Sequence, residues 1–255
     1  MVDRDEFDEW LRERAVEAGA TRLRATFKRF ARDADGCPLL HLAPLARVGN
    51  ASPTELRARL VIGADGATSL VARQAMPNSV APPMVYVYHE ILRSPSTNSA
   101  GFDAERCDVY YQGGLSPHFY AWVFPHGAHT SVGTGTARKG FSIRAGTAAG
   151  RAAAGLTDAE VVRTEGAPIP MRPRKRWDNG RDVLLAGDAA GVVAPASGAG
   201  IYYAMVGGQL AAQAAAEFLA SGEARALAGA RRRFMRAHRP RVLDFRRHAT
   251  FLVFA

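Results

Sequence analysis

Sulfur and lysine are what this chain has least of. Its 255 residues include 2 cysteines, Cys37 and Cys107, and neither belongs to a CxxC spacing. That excludes a disulfide framework and a cysteine-built metal site, and it points to a reducing compartment. Apart from Lys28, Lys139 and Lys175, the 33 basic residues are all arginine. No GxGxxG phosphate loop is present: GTGTAR at Gly133 and GAGIYY at Gly198 lack the third glycine and the strand–turn–helix setting that such a loop needs. Met1 is followed by the acidic, amphipathic VDRDEFDEWLRER rather than a basic and then apolar leader, so no signal peptide and a cytoplasmic location are expected. The uncharged run from Ala189 to Ala216 is 28 residues long, enough for a bilayer span. Pro195 and the glycines at 191, 198, 200, 207 and 208 interrupt it, and alanine stands where a lipid-facing helix carries leucine, so no transmembrane helix is expected. His126 and His129 have no ligand companions at metal spacing and are expected in a loop; no metal site is expected.

What remains is an ordinary globular composition, 47% hydrophobic and 22% charged, with room for one large or two small domains. The formal charge of +9 is local. Residues 221–255 hold nine arginines (225, 231, 232, 233, 236, 239, 241, 246 and 247) against Glu223 and Asp244, which leaves +2 for everything before them. Such a segment suits peripheral contact with an anionic membrane or with phosphates, and equally a solvated helix face in an arginine-rich protein. No aromatic interleaving accompanies it, and no nucleic-acid partner is expected.

The most informative stretch is Asp182–Ala212, DVLLAGDAAGVVAPASGAGIYYAMVGGQLAA. Val183–Leu185 reads as a buried strand ending at Gly187, where a missing side chain admits a ligand to the backbone. Asp188 places a carboxylate at the strand's end, where ligands of open α/β sheets sit and where sugar or ribityl hydroxyls find an acceptor. Pro195–Gly200 carries no bulky side chain, as a loop against a planar ring requires, and the helix after Gly200 points its amide end back toward that ring. A strand, a glycine turn and an alanine-rich packing helix without ligand would read the same way.

Upstream, Phe7, Trp10, Leu11, Ala15 and Ala18 form the stripe of a surface-packed helix stopped by Gly19. Strands are expected at Thr21–Phe30, Leu39–Leu42 and Glu55–Ile62, the last running through Gly63 into a second acid turn, Asp65–Gly66, and a helix through Val71 and Arg73. Asp65 in that turn is placed either to meet a cofactor's pyrophosphate or to cap the helix. From Pro82 to Thr136 the alternation is that of an antiparallel sheet, with strands over Val85–Tyr88, Cys107–Tyr111, Phe119–Phe124 and Thr130–Gly135. Tyr120, Trp122 and Phe124 share one face by period two, as either a core layer or an apolar ligand wall. A helix over Arg144–Ala154 and a strand near Val161–Arg163 follow. Pro168, Pro170 and Pro173 with Arg172, Arg174, Lys175 and Arg176 then read as an extended basic connector to the Asp182 strand.

Two acid turns, an intervening sheet and an aromatic strand together resemble the flavoprotein oxidoreductases related to p-hydroxybenzoate hydroxylase, and among them the geranylgeranyl reductases. The resemblance covers nearly the whole chain: the opening VDRxxFDxWLxxxAxxxGA, Asp65–Gly66, Gly187–Asp188 with PASGAGIYYA, and above all YxWxFP followed after seven residues by GxG. That last motif occupies Tyr120, Trp122, Phe124, Pro125, Gly133 and Gly135. The wording of YHEILRSP, CDVYYQG, YAWVFPHG and APASGAGIYYAM is similar to the bacteriochlorophyll-pathway branch. The resemblance implies reduction of a geranylgeranyl chain, as the diphosphate or as the bacteriochlorophyll ester, to phytyl, with NADPH reducing FAD and the flavin passing hydride from N5 to an alkene.

By position it implies FAD contacts at Arg4, Asp188, Gly200 and Ile201, with Asp65 and Gly66 nearby. Gly187, Pro195, Ser197 and Gly198 complete that cofactor set, and the Tyr120–Gly135 segment lines the prenyl site. It also implies a mixed α/β fold: a partial Rossmann-like dinucleotide domain over 1–76 and 166–222, an inserted antiparallel substrate sheet over 77–165, and a basic helical segment over 223–255. The strand, GxGxxG and helix of that family precede its VDR motif, as does its CGG segment, so the chain reads as an internal portion, and no catalytic acid is assigned. Two other readings remain open, a flavin-dependent aromatic monooxygenase and a non-catalytic basic module docking on a membrane or partner.

Overall fold

The computed structural model describes residues 4–44, 54–76, 78, 80–96 and 102–243, and the chain divides into two compact units, 1–61 and 62–255. Val2 and Asp3 of the opening motif lie outside the described residues, as do Arg246, Arg247 and the terminal FLVFA.

In the first unit, helix α1 (Arg4–Glu17) ends at Gly19 as expected and buries no residue. Its stripe is covered from within: Phe7 stacks on Trp10 at 5.9 Å, and the Arg14 guanidinium lies 5.1 Å over the indole. Strands β1 (Ala25–Arg32), β2 (Pro38–Pro44) and β3 (Glu55–Arg57) form an antiparallel sheet in that order. The Asp33–Gly36 turn joins β1 to β2, closed by the Cys37 amide donating to Asp33 at 2.8 Å. The strand expected over Glu55–Ile62 is two strands. The Ala58 amide donates to Pro38 O at 3.0 Å, the last bond to β2, and pairing resumes elsewhere with β4 (Val61–Gly63).

The second unit is mixed α/β. After β4 come α2 (Leu70–Ala75), β5 (Met84–Arg93), β6 (Asp108–Tyr110), β7 (Ala121–His126), β8 (His129–Thr136), α3 (Ile143–Ala153) and β9 (Val161–Pro170). Then follow β10 (Val183–Leu185), a single 3₁₀ turn (Gly187–Ala190), α4 (Ile201–Ser221) and α5 (Ala228–Leu243). Strands β6-β7-β8-β5-β9 make one antiparallel sheet, as the alternation of residues 82–136 required. His126 and His129 are not loop residues but the paired ends of β7 and β8.

The strand expected near Val161–Arg163 runs on to Pro170, taking in Pro168 and Pro170. These prolines are tolerated because β9 is the outer strand next to β5, where a missing N–H costs no ladder bond on the open side. Helix α3 covers one face of this sheet, burying Leu92, Val123 and Val132 together with Ala154 and Leu156. β10 is buried throughout, and Trp177 packs on Phe234 of α5 at 5.1 Å. Part of the basic C-terminal segment is engaged inside the unit. Arg233 pairs with Glu217 at 2.7 Å, and Arg231 donates to Arg174 O at 3.0 Å. No described helix is long and apolar enough to cross a membrane.

Candidate functional site

The two acid turns leave neighbouring strands. The Ala186 amide at the end of β10 donates to Gly63 O at the end of β4, at 2.9 Å. From β4, Asp65 turns back on the helix that follows: one carboxylate oxygen accepts from the Ser69 hydroxyl at 2.5 Å, the other from the Leu70 and Val71 amides at 2.7 and 3.1 Å. One oxygen thus caps α2 and the other holds its N-cap serine, with Gly66 supplying the reversal. From β10, Gly187 takes φ +58°, a conformation that disfavours any side chain, and Gly191 closes the turn by donating to Asp188 O at 2.9 Å.

The Asp188 carboxylate is half-buried beside the start of α4. A Cβ on Gly200, the helix's N-cap, would lie 3.4 Å from Asp188 Oδ1, so a larger residue there would crowd the acid. Gly200 has no side chain with which to cap this helix end itself. Around it the surface is apolar and open: Ile201, Tyr202 and Met205 are 41%, 57% and 49% exposed. A carboxylate, a helix amide end and small or apolar surroundings fit the polar chain and flat ring of a flavin, the fit that the small-residue loop required. Pro195 is buried, Ser197 is exposed and Gly198 is half-buried.

That loop is tied to the aromatic strand. The Tyr120 hydroxyl donates to Ser197 O at 2.5 Å, and a Cβ on Gly198 would stand 3.0 Å from the Phe119 ring. Burial pushes the Tyr120 phenol up to about 12, with the Tyr111 phenol adding to the shift, so it stays a neutral donor through the usual range. Because this pKa lies above the unfolded value, its contribution is complete below about pH 10 and fades as pH rises from there through about 12. Tyr120→Phe is expected to cost about 1 kcal/mol in chemical denaturation. The same free energy of unfolding as the parent would show that the bond does not hold the loop.

Tyr120, Trp122 and Phe124 stand on the sheet face opposite α3, while Ala121, Val123 and Pro125 are buried on the α3 side. The aromatic face is therefore a wall and not the core layer. Tyr120 meets Trp122 edge-on at 5.8 Å, and Trp122 stacks on Phe124 at 6.2 Å. The paired glycines of β8 are the floor under this wall. Gly133 is the cross-strand partner of Trp122, and its missing Cβ would lie 2.3 Å from the indole; that of Gly135 would lie 2.5 Å from the Phe119 ring. The spacing between YxWxFP and GxG is thus the register of one hairpin.

A polar chain that the sequence alone does not reveal runs along the same face. The Trp122 indole N–H donates to Ser131 Oγ at 3.1 Å, Ser131 Oγ lies 3.0 Å from His89 Nδ1, and His89 Nε2 lies 3.1 Å from Glu165. With Trp122 donating, the neutral tautomer carrying its hydrogen on Nε2 satisfies each partner in turn. His89, Ser131 and Glu165 come from three strands, 42 and 34 positions apart, and leave no local signal. Arg4 belongs to the first unit, where it donates to Asp8 at 3.0 and 2.8 Å.

No family model matches the chain. A geranylgeranyl diphosphate reductase of Rhodobacter capsulatus is 48% identical over 238 residues, covering 93% of this chain and 59% of that protein. A geranylgeranyl diphosphate reductase of Synechocystis is 36% identical over 220 residues, covering 84% of this chain and 53% of that protein. The chain thus spans between half and three-fifths of the length of these curated relatives. Among solved structures, a geranylgeranyl bacteriochlorophyll reductase-like protein of Thermoplasma acidophilum superposes with a TM-score of 0.79 at 23% identity, covering 94% of this chain and 61% of that one.

Proposed function

Because the chain belongs to the geranylgeranyl reductase family, we propose that it takes part in FAD- and NADPH-dependent reduction of geranylgeranyl double bonds to phytyl in bacteriochlorophyll synthesis, on the diphosphate or on the pigment ester. The observation that carries this reading is the Tyr120–Ser197 bond, which joins the loop suited to a flavin to the aromatic wall suited to an isoprenoid. FAD, when bound, supplies the hydride for the alkene, and NADPH restores it. The chain's own residues bind and position. The Asp188 carboxylate accepts from ligand hydroxyls, and the amide end of α4 favours negative charge beside it. Trp122 and Phe124 present an apolar surface that excludes water from a prenyl chain. Reduction also consumes a proton, and His89 Nε2, against Glu165, holds one at the edge of the same face. The exposed arginines of α5 suit contact with an anionic membrane on which a prenyl substrate resides.

Supplied with FAD, NADPH and geranylgeranyl diphosphate without oxygen, a form of the protein as long as its curated relatives is expected to yield products heavier by one H₂ per reduced double bond, read by mass spectrometry. An oxygen requirement with an oxygen atom added to product would replace this reading by a hydroxylase.

A further inference from the structure

The connector between β9 and β10 contains a feature that hydride transfer does not use. A cavity of about 410 Å³ opens between Met76, Asn78 and residues 80–83 on one side and residues 172–176 with Asp178 on the other, wholly within the second unit. Arg172, Arg174, Lys175 and Arg176 line it, and among the described lining residues Asp178 is the carboxylate set against these four cations. Asp178 also accepts from the Gly180 amide at 3.0 Å. No ion pair joins Arg172, Lys175 or Arg176 to a carboxylate among the described residues.

The cavity is held in shape by Arg174. Its Nε donates to Ala189 O at 2.7 Å and its Nη1 to Val80 O at 3.1 Å, which ties the connector to the Asp188 turn on one side and to the opposite wall on the other. Burial lowers the Arg174 pKa from its ordinary value, and the Asp65 carboxylate opposes that shift. The wall across from the cations carries Met76, Val80, Ala81, Pro82 and Pro83, with Asn78 as its polar side chain. Excess positive charge favours an anion, and guanidinium groups match phosphate oxygens in geometry. The volume exceeds that of a bare ion and falls in the range of organic ligand sites.

We propose that this cavity binds a phosphate-bearing organic ligand, with its phosphate or diphosphate on Arg172, Lys175 and Arg176 and its organic part against the Pro82 wall. Anion binding there stands by itself; the choice of ligand rests on the reductase reading, which offers two sources of this chemistry, the phosphates of NADPH and the diphosphate of the prenyl substrate.

The test is titration calorimetry of the chain with inorganic pyrophosphate. The triple variant Arg172→Gln, Lys175→Gln, Arg176→Gln is expected to weaken binding by about tenfold or more, from lost charged hydrogen bonds. The variant Arg93→Gln, Arg106→Gln, Lys139→Gln removes equal charge from exposed positions of the antiparallel sheet and its loops and is expected to leave it unchanged. Equal weakening in both, or no pyrophosphate binding to the parent, overturns the site. Lys175→Glu, an exposed position, gives the same readout if the triple variant does not fold. A second arm compares NADPH with NADH and geranylgeranyl diphosphate with geranylgeraniol. A preference for the more phosphorylated partner that the triple variant abolishes assigns the source, and insensitivity of both pairs overturns the ligand class. Cavity-dependent pyrophosphate binding without alkene reduction keeps the site and removes the reaction.

Discussion

Gly133→Val is expected to displace Trp122 and lower the melting temperature of the chain by roughly 4–16 °C. A Cβ at this position would lie 2.3 Å from the indole and 2.6 Å from the Cβ of His89, two contacts that no rotamer of the new side chain relieves. Overpacking of this kind costs about 1–3 kcal/mol. Moving the indole also breaks its bond to Ser131, worth about 1 kcal/mol more. For a chain of this size each kcal/mol is about 2–4 °C. Near-ultraviolet circular dichroism should report the loss of ring packing alongside the melt. Introducing Gly133→Val into Trp122→Ala should recover part of the loss, since the indole is the nearest obstacle. A Gly133→Val protein that melts with the parent and keeps its aromatic signal would show that the glycine is not the floor of the wall.

In a form of the protein as long as its curated relatives, Asp188→Ala is expected to weaken FAD binding by about ten- to a hundredfold, the equivalent of the charge-assisted hydrogen bonds that its carboxylate would accept. The residue lies on a 3₁₀ turn whose backbone bond to Gly191 does not depend on the side chain, so the variant should fold. Flavin fluorescence quenching gives the affinity, and circular dichroism checks the fold. Asp188→Asn keeps the shape without the charge and should fall between the two. Unchanged flavin affinity in the alanine variant would remove Asp188 from the site.

Much of this site is legible in the amino-acid sequence. Gly187–Asp188 and the loop to Gly200 are readable because a strand end, a turn needing positive φ and a run of small residues are all local features of the chain. The helix after Gly200 and the antiparallel run from residue 84 to 136 are readable from period alone. Glu55–Ile62 reads as one strand and folds as two because nothing local marks where a strand loses its partner. Pro168 and Pro170 suggest a connector because proline is excluded from strands with two neighbours, and sequence does not reveal which strand is outermost. His89, Ser131 and Glu165 are invisible for a different reason: their hydrogen bonds exist only because β5, β8 and β9 pair in one register.

The sequence by itself determined the aromatic alternation, the glycine pair that answers it and the two acid turns, since each follows from residue type and spacing within a few positions. Only the tertiary structure decided that the aromatic face is a wall. Period two is symmetric between the two faces of a sheet, and the packing of α3 on Val123 and Val132 left Trp122 on the other side. Tertiary structure also gave the two carboxylates different work. Asp65 gives one oxygen to the first amides of α2 and the other to the hydroxyl of its N-cap Ser69, whereas Asp188 lies on a 3₁₀ turn and meets a helix end only where α4 starts twelve residues later.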